Sequence, residues 1–153
     1  MIFYVKGNLL GSSCDYICHQ VNCQGVMGAG LAAQIRTHWP NVYEEYKTLC
    51  EEFIWNKTSP LGMILISETK DTATKIVSMF GQDGYGRKGR YTSYDAFWSC
   101  LGALRNALKP GETVAFPKGI GCGLGGANWE VIRTMIEEVL KEFNVYIYER
   151  SEG

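Results

Sequence analysis

The chain has 153 residues, 46% hydrophobic and 20% charged, with a formal net charge of −1. These totals fit one globular domain. They exclude an apolar run long enough to span a membrane and the strongly basic footprint of a general nucleic-acid binder. The opening MIFYVKGNLL has no basic leader ahead of an apolar stretch, so no signal peptide is expected. The six cysteines then read as reduced thiols of a cytoplasmic chain. Cys14, Cys18, His19 and Cys23 lie close together, but no C-x-x-C pair occurs, so neither a metal nor a cofactor is expected.

In chain order, Ile2–Val5 reads as a short strand closed by Lys6-Gly7-Asn8, and Tyr16–Val21 as a second, mostly buried strand. Gly28-Ala29-Gly30 leads into a helix over Leu31–Thr37, stopped near Pro40. A second helix is expected over Val42–Phe53, with Val42, Tyr46, Leu49 and Phe53 apolar. Met63–Ile66 and Lys75–Phe80 are two more strands, followed by a polar, glycine-rich loop, Gly81–Arg90. Thr92 or Ser93 caps a helix that runs to about Leu108 and ends at Pro110-Gly111. Thr113–Pro117 is a strand, Lys118–Gly126 a second bare loop, Asn128–Phe143 an amphipathic helix and Val145–Tyr148 the last strand.

This alternation predicts an α/β fold: a three-layer α/β/α sandwich around a mixed, mainly parallel sheet, with residues 1–153 forming a single domain. Ligands of such sheets bind at the carboxyl ends of strands. Three loops follow strands here, at 25–30, 81–90 and 118–126, and are expected to face one cleft.

The first and last of these loops carry almost no side chains. Gly28-Ala29-Gly30 alone reads equally as a tight turn. Gly119-Ile120-Gly121-Cys122-Gly123-Leu124-Gly125-Gly126, however, spends five glycines in eight positions, and glycine is costly to order. Neither loop matches G-x-x-x-x-G-K-[ST] or G-x-G-x-x-G. Two bare segments before helices fit a diphosphate held by backbone N–H groups.

The pair VNCQGVMGAGLAAQIR and PKGIGCGLGGANWEVI resembles a macrodomain, the ADP-ribose-binding module, and the likeness runs over nearly the whole chain. It is closest to small stand-alone members. These are the terminal ADP-ribose protein glycohydrolase type and the ADP-ribose-1″-phosphate phosphatase type found in yeast. The resemblance implies ADP-ribose lying across the top of a mixed sheet. Asn8 then stands where the family usually has an Asp that accepts from the adenine amino group, and Asn22, helped by Gln24, faces the distal ribose. Gly28, Ala29, Gly30 and Leu31 form the first loop on the ribose and diphosphate. Gly119, Ile120, Gly121, Cys122, Gly123 and Leu124 form the second, with Cys122 contributing backbone rather than thiol chemistry. Phe80 and Tyr148 are aromatic walls or core residues.

Departures bear on catalysis. The glycohydrolase type uses a Lys and an Asp at positions that correspond to Gln82 and Gly125, so its covalent mechanism is not expected, and Gln82 is left as a ligand contact. Lys88 lies six residues further along the loop and is a poor substitute. His19 is shared with the phosphatase-like relatives and reads as a general acid, base or nucleophile, or as a packed histidine bonded across the sheet. Asp83 reads as the carboxylate that orients a water, or as a solvated loop residue. Arg87 and Arg90 are candidate phosphate clamps, and Gly84-Tyr85-Gly86 a closing segment. The expected activity is hydrolysis at the distal ribose of ADP-ribose-1″-phosphate or of a mono-ADP-ribosyl group, with His19, Asn22 and Asp83 catalytic. The alternative is a reader without turnover. The expected partner is ADP-ribose or an ADP-ribosylated macromolecule, bound by a monomer. No membrane contact and no sequence-specific nucleic-acid binding are expected.

Overall fold

A computed structural model describes residues 1–86 and 89–150. The elements run β1 (Ile2–Lys6), a 3-10 turn (Leu9–Gly11), β2 (Tyr16–Val21), α1 (Gly30–His38), α2 (Pro40–Trp55), β3 (Ile64–Glu68), β4 (Lys75–Phe80), α3 (Tyr94–Ala107), β5 (Thr113–Pro117), α4 (Trp129–Val139) and β6 (Asn144–Glu149). The six strands form one sheet in the order β1-β6-β5-β2-β4-β3. Every pair is parallel except β3–β4, which is antiparallel with Ile66 opposite Val77.

Alternation along each strand sends successive side chains to opposite faces, and this sorts the core into two layers. Cys18, Val77, Val114, Phe116 and Ile147 pack with Phe97, Leu101 and Leu104 of α3 and Ile132 and Ile136 of α4. Ile17, Ile76 and Ala115 face the other way, onto Ile35 of α1 and Val42 of α2. Nearer the carboxyl ends of the strands, Val21 and Phe80 pack with Tyr46 and Cys50 of α2. The fold is thus the α/β/α sandwich with a mixed, mainly parallel sheet. Among the described residues no helix is long and apolar enough to cross a membrane.

Several boundaries differ from the sequence reading. α2 starts at Pro40 rather than Val42, because proline fits the first helical position, where its missing N–H has no partner to lose. α4 stops at Val139 rather than running to Phe143. Leu140 is nevertheless buried, and the Phe143 N–H bonds the Leu140 carbonyl in a turn that leads into β6. The 3-10 turn was not foreseen. Asn8 caps it, its Oδ1 accepting from the Leu10 N–H at 3.1 Å.

Candidate functional site: a cleft over the β5–β2–β4 ends

The central strands β5, β2 and β4 each end in one of the three loops, and these loops enclose a cleft of about 680 Å³. That volume is in the range of small-molecule sites. Its first wall is Gly28–Ala32. Here α1 begins at Gly30, whose φ of +57° favours glycine, and its N-cap Ala29 offers no side chain to the first-turn N–H groups. Its second wall is the backbone of Pro117–Gly121, with Gly123, Leu124 and Gly125. Gly121 has φ +76°, and its carbonyl accepts from the Thr92 hydroxyl at 2.8 Å and from the Ala127 N–H. Gln82, Tyr85 and Gly86, after β4, close the third side.

The segment after β4 is fastened to both neighbouring loops. The Cys23 N–H donates to the Asp83 carbonyl at 3.0 Å, while the Tyr91 and Thr92 N–H groups both donate to the Gly125 carbonyl. A side chain at Gly125 would meet Thr92 Oγ1 and would stand 2.5 Å from the Gly121 carbonyl oxygen. That glycine is required by packing, so this position has no room for an acid or base.

Of the residues singled out from the sequence, the structure brings His19, Asn22, Gly28, Ala29, Gly30, Leu31, Gln82, Gly119, Ile120, Gly121, Gly123 and Leu124 to the cleft lining. Five others stand apart from that lining. Asn8 is exposed and caps the 3-10 turn. Tyr148 packs against the β2–α1 layer. The Cys122 thiol turns to the Ile120 carbonyl. Gln24 and Asp83 pair at the rim, where the Gln24 side-chain amide donates to Asp83 Oδ1 at 3.4 Å. Phe80 is fully buried and stacks on Tyr46 at 5.7 Å, so it is a core residue. Arg90 lies over the Tyr94 ring at 4.7 Å and outside the cleft lining. Arg87 and Lys88 lie outside the described residues.

Asn22 is 8% exposed and does local work. Its Oδ1 accepts from the Gln24 N–H, the Val26 N–H and the Tyr46 hydroxyl, while its Nδ2 donates to the Val26 carbonyl at 2.8 Å. This cage sets the turn that presents the first bare loop, and among the described residues it leaves one Asn22 amide N–H without a partner. His19 is 1% exposed, with Nε2 3.0 Å from Ser78 Oγ on β4 and Nδ1 without a partner among the described residues. Burial lowers its pKa from 6.5 to about 4, so the ring is neutral near pH 7. As a neutral ring it carries one N–H and one lone pair, the tautomer deciding which nitrogen holds which, and it is a poor acid.

Sequence reasoning passed over Gln20, Val26 and Lys118, all of which line the cleft. A signal for Gln20 existed: a second polar residue beside His19, at the carboxyl end of an otherwise buried central strand. Lys118 supplies positive charge at the rim but already pairs with Glu149 at 3.5 Å. Tyr85 and Gly86, read from the sequence as part of a closing segment, also line the cleft, with Tyr85 exposed. The described residues hold no cluster of His, Cys, Asp and Glu suited to a metal.

Comparison with known proteins agrees with this geometry. The chain is 30% identical over 173 aligned positions to an ADP-ribose 1″-phosphate phosphatase of Scheffersomyces stipitis, covering 96% of this chain and 99% of that protein. It is 26% identical to a DNA ADP-ribosyl glycohydrolase of Mycobacterium bovis, covering 100% of this chain but 43% of that longer protein. A solved structure of Thermosipho africanus DarTG in complex with ADP-ribose superposes with a TM-score of 0.80 at 22% identity, over 98% of this chain and 41% of that one. The Macro domain family model matches residues 18–136, and the chain belongs to that family.

Proposed function

We propose that this chain binds ADP-ribose across the β5–β2–β4 ends and releases a group attached to its distal ribose, with the terminal phosphate of ADP-ribose-1″-phosphate the first substrate to test. One observation carries the reading: two glycine-rich walls, 28–30 and 119–125, line one cleft of about 680 Å³. Backbone N–H groups and an uncapped helix start offer a diphosphate many donors without fixed charge. The ribose beyond the diphosphate then falls between Asn22 and the Gln82–Gly86 segment.

In the phosphatase reaction a water attacks the terminal phosphorus and the bond from phosphorus to the ribose oxygen breaks. The departing oxygen takes a proton, giving ADP-ribose and inorganic phosphate. Asn22 contributes its remaining N–H, which orients the ribose. His19, held neutral, is a poor acid, and its Nδ1 is an acceptor when the Nε2–H donates to Ser78. Asp83 is the nearby carboxylate for the attacking water and reaches it by rotation of its side chain away from Gln24, its backbone staying on Cys23. A covalent lysine route is disfavoured by Gln82 and by the filled space at Gly125. A mono-ADP-ribosyl linkage at the same ribose carbon is the related substrate, by analogy with the glycohydrolase named above.

A reader without turnover is the second reading. It is favoured by the neutral His19 and by the rim position of Asp83.

Calorimetric titration with ADP-ribose and AMP is the first test, followed by phosphate release from ADP-ribose-1″-phosphate. ADP-ribose binding much tighter than AMP, with turnover reduced in Asn22→Ala and Asp83→Ala, is expected. Tight binding without phosphate release selects the reader. No ADP-ribose binding at millimolar concentration overturns both readings. Wild-type turnover in His19→Ala, Asn22→Ala and Asp83→Ala alike overturns the catalytic assignment.

A further inference from the structure

Gln20 carries no role in the activity described so far, yet it joins three walls of the cleft. Its Nε2 donates one hydrogen to Gln82 Oε1 at 2.7 Å and the other to Thr92 Oγ1 at 2.8 Å. Gln82 passes the direction on, its own Nε2 donating to the Gly84 carbonyl at 2.8 Å. Thr92 does the same on the other side, its hydroxyl donating to the Gly121 carbonyl. Two chains of hydrogen bonds therefore run outward from Gln20 on β2, one to Gly84, beside Tyr85, and one to the second glycine loop.

Both Gln20 donors are spent, while its Oε1 is buried and has no partner among the described residues. Gln20 itself is part of the cleft lining. The oxygen lies against two glycines that have no room for a side chain there: a Cβ on Gly121 would be 3.1 Å from it, and one on Gly81 would collide with it. A glutamine used only as a strut gains nothing from a buried acceptor left without a donor, which is costly.

We propose that Gln20 is a specificity-determining residue of this cleft: its Oε1, closed to solvent between Gly81 and Gly121 in this structure, accepts from a hydroxyl of the sugar beyond the diphosphate when the ligand parts these two backbone segments. Occupying that acceptor completes the two hydrogen-bond chains and fixes the two loops they join at the spacing the ligand needs. The contact discriminates by what it lacks. A ligand that ends at the diphosphate leaves the oxygen unmet and gains nothing from Gln20. This inference rests on the ADP-ribose reading above and deepens it.

The test titrates wild type, Gln20→Met and Gln20→Glu with ADP-ribose, ADP and ADP-ribose analogues that lack single hydroxyls on the distal ribose. Gln20→Met keeps the length and removes the amide. It is expected to weaken ADP-ribose by about tenfold, the size of one good hydrogen bond, and ADP by less than about twofold. In wild type, one deoxy analogue loses about the same factor, and in Gln20→Met that analogue and ADP-ribose bind alike. Gln20→Glu retains the acceptor and, after Gln82 turns its amide, recovers part of the affinity.

Equal losses for ADP and ADP-ribose, or unchanged ADP-ribose binding in Gln20→Met, overturn the proposal. If Gln20→Met does not fold, wild-type affinity that is indifferent to every distal hydroxyl overturns it as well. Failure of wild type to bind ADP-ribose at all is a separate outcome, which removes the underlying reading and this inference with it.

Discussion

Replacing His19 by Gln isolates a proton-linked term that the structure sizes. The ring is 1% exposed on β2, meets Ser78 Oγ with one nitrogen, and has its pKa lowered by burial from 6.5 to about 4. Above pH 6.5 it is neutral in both folded and unfolded chains and adds no pH dependence. As the pH falls from 6.5 towards 4, the unfolded chain binds a proton that the folded chain refuses, so stability drops. At 1.36 kcal/mol per pKa unit the whole depression is worth about 3 kcal/mol, of which about 2 kcal/mol is gone by pH 5. Urea unfolding of wild type and His19→Gln at pH 7.5, 6 and 5 measures this directly. The variant begins less stable through lost packing, and its deficit relative to wild type is expected to shrink by about 2 kcal/mol between pH 7.5 and pH 5. Carboxylates titrate in both proteins and cancel in the difference. A deficit that stays constant within about 0.5 kcal/mol would falsify the account of a buried neutral ring. It would also reopen His19 as an acid in catalysis.

Two further outcomes are expected. Gln82→Lys with Gly125→Asp, which restores the residue types of the glycohydrolase mechanism, gains no ADP-ribosyl hydrolysis. The new Cβ at 125 meets Thr92 and the Gly121 carbonyl, so Tm falls by roughly 2–12 °C for an overpacking cost of about 1–3 kcal/mol; a wild-type Tm in differential scanning would contradict this. Tyr46→Phe removes the hydroxyl that donates at 2.7 Å to both the Asn22 carbonyl and Asn22 Oδ1. It costs about 1 kcal/mol in urea unfolding and weakens ADP-ribose, whereas unchanged affinity would show that the Asn22 turn does not depend on Tyr46.

Much of the fold could be read from the chain because two short-range signals repeat. Apolar runs such as Ile76–Phe80 are interrupted by glycine-rich joints, and the helices between them carry a 3.6-residue stripe that needs a sheet to cover. Ile132 and Ile136 of α4, both buried, are an instance. The two bare loops were visible for the same reason, since glycine count is a local property. What stayed hidden was settled by partners distant in sequence. Nothing near Asn8 says that its oxygen caps a three-residue 3-10 turn, because a turn so short has no period. Nothing near Asp83 says that its carbonyl is held by Cys23, sixty residues earlier, which fixes the carboxylate at the rim beside Gln24.

Gly125 shows why this difference matters for function. From the sequence it is a missing acid: a glycine where the resemblance to the glycohydrolase type leads one to expect an Asp. In the structure it is an occupied corner, because its carbonyl takes two N–H groups from Tyr91 and Thr92, and the place where its Cβ would sit belongs to Thr92 and Gly121. Thr92 is in that corner because Gln20 and Gly121 hold it there. Gln82, the other departure, is tied into the same network through Gln20. Gln82 and Gly125 are therefore coupled parts of one hydrogen-bonded brace. Restoring one residue type at a time should disturb the brace before it restores any chemistry. A change of mechanism in this cleft would have to move Gln20, Gln82, Thr92 and Gly125 together.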